Sequence, residues 1–224
     1  MNKKNLVISS IFLFISMIVS KYSVQESKKS KEHCLLVHGG GYSGFWNTLG
    51  KLNSYPLIKS QNIYCYSSGC LALLAKVNNI NINLVIDEAY SIMNATLKNY
   101  TNFYQIREKF ITFLLDSYNP ELVHFNISVI SSNSLGKCFF HTINWDFNNH
   151  NYNKKLILDS TYIPGITGYY LESRHRYDGA FCHWNLPRCF HQIYPDLNYL
   201  NLRNIFNYHL TLEQISNLLN NNSL

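Results

Sequence analysis

The order of apolar runs and helical segments between Cys34 and Asn78 limits the possible folds more than any other feature of the sequence. The run Cys34–Val37 stops at the glycines of HGGG, and apolar residues then recur near helical spacing over Ser43–Asn53. A second run, Ile63–Tyr66, stops at SSG, and an apolar helical segment follows at once. Units of strand, loop and helix in series favour parallel strands. The sequence therefore predicts an α/β protein with a central, largely parallel sheet flanked by helices.

The rest of the chain continues this mixture of helical and strand-like patterns. With 224 residues, 46% of them hydrophobic, the chain can bury a full core and is most simply one domain. Thr211 is the predicted N-cap of the last helix. The patterns predict helices over Ser68–Asn78, Leu84–Asn99, Phe103–Tyr118, Asn153–Ser160 and Thr211–Leu219, and strands over Leu122–Ile130, over Lys137–Trp145 and, as one or two short strands, within Tyr169–Tyr177.

The N-terminus has the layout of a targeting segment. Two lysines precede the apolar run Leu6–Val19, which is short for a bilayer span, and small and polar residues follow it. We interpret residues 1–23 as a signal peptide or, alternatively, an uncleaved signal anchor. Residues 24–33 are then a polar linker, and residues 34–224 form the folded domain. This layout predicts entry into the secretory pathway, with the protein secreted or membrane-associated.

Charge and cysteine content narrow the classes of partner and compartment. After residue 32 the chain holds 13 basic and 11 acidic residues, and no basic stripe is interleaved with aromatics, which argues against nucleic acid as the main partner. Six cysteines are an even number that permits full pairing in an oxidising compartment, although their spacing fixes no connectivity. N-glycosylation sequons agree with secretion, at Asn94, Asn99, Asn126 and Asn221.

The segment CYSSGC raises the question of a nucleophile. On an α/β sheet a nucleophilic serine lies in a sharp strand-to-helix turn, and small residues are needed two positions before and after it. With Ser67 as the nucleophile, those positions hold Cys65 and Gly69. Taken alone, the pattern fits equally well with Ser68 acting only as a cap of the following helix.

The glycine loop HGGGYSG supplies a second indication of catalysis. Successive glycines at the end of a strand offer backbone N–H groups that can bind the negative charge of a tetrahedral intermediate. We therefore predict an oxyanion hole built from Gly39, Gly40, Gly41 and Gly44. The alternatives are a phosphate-binding loop or simple turn glycines. A nucleotide site is disfavoured because neither of the glycine-rich nucleotide motifs is present.

Three motifs in order resemble the patatin-like phospholipases. They are the glycine loop at Gly39–Gly44, x-S-x-G at Ser67–Gly69, and D-G-A at Asp178–Ala180. The segment Asp159–Gly168, DSTYIPGITG, is also similar to the proline-containing segment that precedes the last motif in that family. The resemblance covers roughly Cys34 to Trp184.

The resemblance implies a lipid acyl hydrolase with the family's three-layer α/β/α architecture. It implies a catalytic dyad of Ser67 and Asp178, in which a buried carboxylate accepts the serine proton. The substrate would be a phospholipid or another acyl lipid at a membrane surface, and neither a metal nor a cofactor is required. Without the resemblance, Asp178–Gly179 is an ordinary tight-turn dipeptide.

Two other functions remain open from the sequence. The glycine loop also fits a lipase or esterase with a Ser-Asp-His triad, whose acid would be Asp159 or Asp178. Its base would be one of the later histidines, His183, His191 and His209. The other alternative is a catalytically inactive lipid-binding relative. It is favoured by Cys65, which stands where the family has glycine, and by His38 and Ser43, which depart from the family's pattern in the glycine loop. Cys182–His191 holds zinc-ligand residue types, but their spacing indicates a disulfide or buried thiols rather than a metal site.

Overall fold

A computed structural model describes residues 32–98, 103–117, 125–145, 149–163, 167, 176–182, 186–196 and 210–220. These residues belong to one compact unit that begins at Glu32. In the described ranges the chain forms six strands, namely β1 Glu32–Val37, β2 Asn62–Cys65, β3 Asn126–Ser132, β4 Cys138–Thr142, β5 Tyr177–Asp178 and β6 Cys189–Ile193. The same ranges contain six α-helices, namely α1 Gly41–Ser54, α2 Ser68–Val77, α3 Ile82–Lys98, α4 Phe103–Asp116, α5 His150–Ser160 and α6 Leu212–Asn220.

The six strands form one mixed sheet that is mostly parallel. The strand order is β4-β3-β2-β1-β6, and β5 pairs with the end of β3. β1, β2, β3 and β6 run parallel, whereas β4 and β5 are antiparallel to β3. With helices flanking the sheet, this is a three-layer α/β/α fold, as the sequence predicted. The loops that leave β1 and β2 therefore lie side by side at the carboxyl edge of the sheet.

Alternation along the strands sends every second side chain into the larger core. Leu35 and Val37 of β1, Ile63 and Cys65 of β2, and Ile127 of β3 are at most 1% exposed and belong to that core. Buried residues from all six of the helices described above join it. A smaller cluster contains the alternate side chains, including Leu36 and Ile130. The sheet is thus fixed from both sides, which holds the carboxyl edge in place.

Most predicted elements are confirmed to within a few residues, including the last helix. Thr211 caps it as predicted: the Gln214 amide donates to the Thr211 hydroxyl, and the Thr211 amide donates to the Gln214 side chain. β6 was missed, because its sequence CFHQI mixes polar and apolar residues without clear alternation. β1 begins at Glu32, two residues before the predicted domain start.

The predicted targeting segment and most of the predicted linker lie outside the described residues. So does most of Tyr169–Tyr177, of which only the end is seen, in β5. Within the described ranges, no helix has the length and apolar character to cross a bilayer.

Candidate active site

Ser67 lies in a strained turn between β2 and α2. Its backbone has φ 54° and ψ −142°, a conformation that side-chain-bearing residues rarely adopt. The Ser67 amide donates to Ser160, whose carbonyl oxygen and hydroxyl each lie 3.1 Å away. The Ser67 side chain makes no capping hydrogen bond to α2 and is partly exposed. This geometry matches the nucleophile turn. Ser68, which the sequence offered as the cap, is the first residue of α2 rather than its N-cap.

The residues around Ser67 allow strand and helix to approach closely. A Cβ atom on Gly69 would lie 2.6 Å from the carbonyl oxygen of His38, so only glycine fits between α2 and the end of β1. On the other side of the turn, Cys65 and Cys70 form a disulfide that spans the two serines. Cys65, the small residue required two positions before the serine, is therefore one half of a disulfide. The sequence did not predict this pairing.

Gly39 is the member of the glycine loop that contacts the candidate nucleophile. A Cβ atom on Gly39 would lie 2.9 Å from Ser67 Oγ and even nearer to Ser67 Cβ. The Gly40 amide donates to Ser68 Oγ at 2.9 Å, which gives the buried second serine a structural role. Gly41 begins α1 with φ 66°, a left-handed conformation that favours glycine.

Gly44 does not fit the predicted oxyanion hole. Its amide donates to the Gly40 carbonyl at 3.1 Å, in the first turn of α1. The amide is therefore directed along the helix rather than towards a substrate. The prediction included Gly44 because it is the last glycine of the family-like motif. In the structure α1 begins three residues earlier, at Gly41, so Gly44 already belongs to the helix.

The sheet register places Asp178 beyond the end of β2. β4 pairs with β3 over Ser128–Ser132 and so occupies one edge of that strand. β2 pairs with the other edge as far as Val129, and β5 continues along it from Ser131, which is opposite Asp178. Asp178 therefore lies in line with β2, just where the chain turns away at Ser67.

Contacts of Gly179 bring the two motifs together. A Cβ atom on Gly179 would lie 2.5 Å from the Ile130 carbonyl oxygen and nearer still to the Cβ of Tyr66. The residue after Asp178 thus packs tightly against the residue before Ser67. Any larger side chain at position 179 would push β5 away from the turn, which explains the small residue in D-G-A.

Asp178 is buried and held by several backbone hydrogen bonds. Its exposure is 1%, and one carboxylate oxygen accepts the Ala180 amide at 2.8 Å. The Asp178 amide donates to the Tyr162 carbonyl, and the Asp178 carbonyl accepts from Ser132 Oγ. The carboxylate therefore caps the short 3₁₀ turn Gly179–Phe181, in agreement with the turn interpretation, while it also lies at the edge of the sheet that holds Ser67.

Of the three histidines predicted as a triad base, the structure describes only His191. His191 is exposed on β6, and its ring neighbours are His33 and Tyr55. His183 and His209 lie outside the described residues. Asp159, the other acid that the sequence offered for a triad, lies at the end of α5. Its backbone carbonyl accepts a hydrogen bond from the Tyr162 amide.

Sequence reasoning missed His38, which precedes the glycine loop. Its Nδ1 lies 2.7 Å from the Tyr66 hydroxyl, and its Nε2 lies 3.0 Å from Oε1 of Gln192. The ring also stacks on Tyr194, with centroids 3.8 Å apart. Both ring nitrogens have partners, so His38 links β1, β2 and β6 beside the turn. Its position directly before three glycines was the available sequence signal.

The six cysteines form three disulfides: Cys34–Cys189, Cys65–Cys70 and Cys138–Cys182. The disulfide interpretation of Cys182 and Cys189 is therefore confirmed, although each pairs with a distant cysteine. A paired cysteine cannot serve as a thiolate ligand for zinc. Among the residues that the structure describes, no group of metal-ligating side chains converges.

Comparisons with protein-family models, with curated proteins and with solved structures found no match. The resemblance to the patatin-like phospholipases therefore rests on the sequence motifs alone.

Proposed function

We propose that the protein is a carboxylic ester hydrolase that acts on acyl lipids through a dyad of Ser67 and Asp178. The observation that carries the proposal is the left-handed backbone of Ser67 at a strand-to-helix turn, with buried Asp178 entering in line with the same strand. A non-glycine residue persists in such a conformation only where the surrounding structure enforces it, and such positions cluster at active sites.

The proposed reaction uses groups that this edge of the sheet already holds. Ser67 Oγ attacks the carbonyl carbon of the ester, and its proton passes to the Asp178 carboxylate. Negative charge develops on the carbonyl oxygen, next to the glycine loop and the N-terminal end of α2. Each preorganised N–H donor typically contributes about 3 kcal/mol to such a transition state. Asp178 returns the proton to the departing alcohol, which leaves an acyl-Ser67 ester. Water then gives a proton to Asp178 and attacks this ester, and the proton passes to Ser67 Oγ as the carboxylic acid leaves.

One observation favours a second candidate, a lipid-binding protein without catalysis. The Gly40 amide already donates to Ser68, and the Gly44 amide donates within α1. Two of the four predicted donors are thus engaged inside the protein. In this second function the loop would support the fold, and Ser67 would be inert.

Ester hydrolysis by paired serine variants tests the proposal. Ser67→Ala should abolish hydrolysis of a short-chain ester, while Ser68→Ala should retain most of it. Ser68→Ala removes only the acceptor for Gly40 and leaves the nucleophile in place. A dead Ser68→Ala with an active Ser67→Ala would overturn the assignment of the nucleophile, and an inactive wild-type protein would favour the lipid-binding alternative.

A histidine scan separates the dyad from a triad. If Asp178 is the base, His183→Ala, His191→Ala and His209→Ala should each keep hydrolysis, whereas Asp178→Asn should lose it. In a triad, loss of the base costs several orders of magnitude, comparable with loss of the serine. A single folded but dead histidine variant would replace the dyad with a triad esterase.

We further propose that the protein passes through the secretory pathway. Three disulfides support this proposal, because such bonds persist in oxidising compartments. Asn94 and Asn126, two of the sequon asparagines, are exposed. In eukaryotic cells we expect a lumenal, secreted or membrane-associated product whose mobility shifts after glycosidase treatment. A cytosolic product with an intact Met1 would contradict this localisation.

A further inference from the structure

A short hairpin rises from the same edge of the sheet as the candidate dyad. The Ser132 hydroxyl donates to the carbonyl of Asp178, and the hairpin Asn133–Lys137 begins at the next residue. At its tip, Leu135 is 84% exposed, the highest value among the large hydrophobic side chains that the structure describes as exposed. An apolar side chain is thus presented to solvent close to the site.

Hydrogen bonds hold the hairpin in one conformation. The side chain of Asn133 accepts the amides of Leu135 and Lys137 at 3.0 and 2.9 Å. The Asn133 amide donates to the Lys137 carbonyl, and Gly136 supplies the left-handed φ of 75° that the turn requires. The Cys138–Cys182 disulfide follows immediately. Leu135 is therefore displayed by a rigid support, so little conformational entropy is lost when it is buried by a partner.

Two basic side chains lie against Phe139, on the strand that follows the hairpin. Lys137 Nζ lies 5.7 Å from the centroid of the Phe139 ring, and Arg176 Cζ lies 3.9 Å from it. Arg176 is two residues from Asp178, and Phe139 pairs with Ser131 in the sheet. The tip patch is defined here as Leu135, Lys137, Phe139 and Arg176. It combines the exposed leucine of the hairpin with exposed Lys137 and half-buried Arg176, the two cations at Phe139.

We propose that the tip patch docks the protein onto an anionic lipid surface, with Leu135 entering the acyl boundary and the cations facing headgroup phosphates. The inference rests on the proposed function, whose substrate it places in a membrane. A convex hairpin with one protruding leucine lacks the roughly 800 Å² per partner of a stable protein interface. A bilayer accepts such a protrusion, and its anionic headgroups attract nearby basic side chains.

A fluorescent label at the tip tests this docking. All six native cysteines are paired, so Leu135→Cys provides a single thiol for an environment-sensitive dye. The matched control is Leu84→Cys on α3, 50% exposed. Leu84 follows Ile82 and Asn83, which line a groove at the C-terminal end of α1. That end of the helix lies about 20 Å from the glycine loop, measured along α1. Both variants carry Ser67→Ala, which prevents turnover, and are mixed with phosphatidylcholine vesicles with or without phosphatidylserine.

We expect the dye at position 135 to shift to shorter wavelength with the phosphatidylserine vesicles, and the dye at position 84 to stay solvent-like. In Leu135→Cys protein, Lys137→Gln should weaken the response about fivefold, as expected for one cation near an anionic surface, whereas Lys59→Gln, at an exposed site on another loop, should not. No shift at 135, an equal shift at 84, or an equal response to neutral vesicles would overturn the docking proposal. Hydrolysis of a water-soluble ester by the wild-type protein tests the proposed function separately.

Discussion

Replacement of Ser67 by glycine should make the protein more stable than replacement by alanine. Both changes remove the hydroxyl, so they differ in the Cβ atom. That atom determines how well the residue adopts φ 54° and ψ −142° and how much freedom it has in the unfolded chain. Backbone strain of this kind costs about 1–3 kcal/mol for a non-glycine residue. Glycine avoids that cost, but its greater freedom in the unfolded chain offsets about 0.5–1 kcal/mol.

The expected difference in the free energy of unfolding is therefore about 1 kcal/mol in favour of Ser67→Gly. For a domain of this size it corresponds to a melting temperature about 2–4 °C higher than that of Ser67→Ala. The strain persists in the native protein because the Ser67 amide is bonded to Ser160 and Gly69 packs against the end of β1.

Denaturant unfolding at fixed pH, with the disulfides intact, measures this difference. Asn79 provides the matched control, since it is the other described non-glycine residue with positive φ, at 50°, and it follows the C-cap of α2 outside the site. We expect Asn79→Gly to be more stable than Asn79→Ala by a similar amount, which calibrates the effect. If Ser67→Gly is no more stable than Ser67→Ala while the Asn79 pair differs, the strained turn at Ser67 is refuted.

Three further predictions follow from contacts around the site and on β4. Gly39→Ala should abolish ester hydrolysis, because the added methyl group would lie within 2.9 Å of Ser67 Oγ; a kinetic assay of the folded variant measures this. Joint replacement of Cys65 and Cys70 by alanine should lower the free energy of unfolding by about 2 kcal/mol, measured with denaturant, and leave most hydrolysis intact. Burial and the neighbouring Arg176 guanidinium lower the pKa of His141 in the folded protein, so the unfolded chain takes up the proton first as the pH drops. The free energy of unfolding should therefore fall below about pH 6.5, which denaturant unfolding at a series of pH values measures.

Each of these predictions has a control within the chain. Gly44→Ala should be tolerated, since its Cβ atom would meet no other atom closer than 3.5 Å. Full activity of Gly39→Ala would contradict the close approach. The Cys138–Cys182 pair, replaced in the same way, shows whether the effect is particular to the turn. For the pH series, His141→Gln should reduce the fall in the free energy of unfolding at acid pH, because glutamine cannot take up the proton. An unchanged dependence on pH in this variant would exclude His141 as the cause.

The sequence predicted those parts of the structure that local patterns determine. Short apolar runs that end near Gly39 and Ser67 predicted β1, β2 and the turns after them, because such runs are too short for a typical helix and are bounded by turn residues. The requirement for glycine at position 69 also followed from the geometry of a strand-to-helix turn. These features depend on neighbours within a few residues, which is why the pattern sufficed.

Features that depend on distant pairing could not be predicted. The hydrogen bond between His38 and Gln192 exists because β6 pairs with β1, and CFHQI gives no clear strand signal. The partners of Cys34 and Cys65 likewise follow from the sheet order and the turn, not from spacing. The orientation of the Gly44 amide required knowledge of where α1 begins.

The most direct test of the central claim is mass-spectrometric mapping of a fluorophosphonate probe on the folded wild-type protein. An activated serine reacts with this probe, whereas an inert serine does not. The proposed dyad predicts one adduct, on Ser67, and its loss in Asp178→Asn because the base is missing. An adduct on Ser68 or another serine, or no adduct on correctly folded protein, would contradict the assignment of Ser67 as the nucleophile.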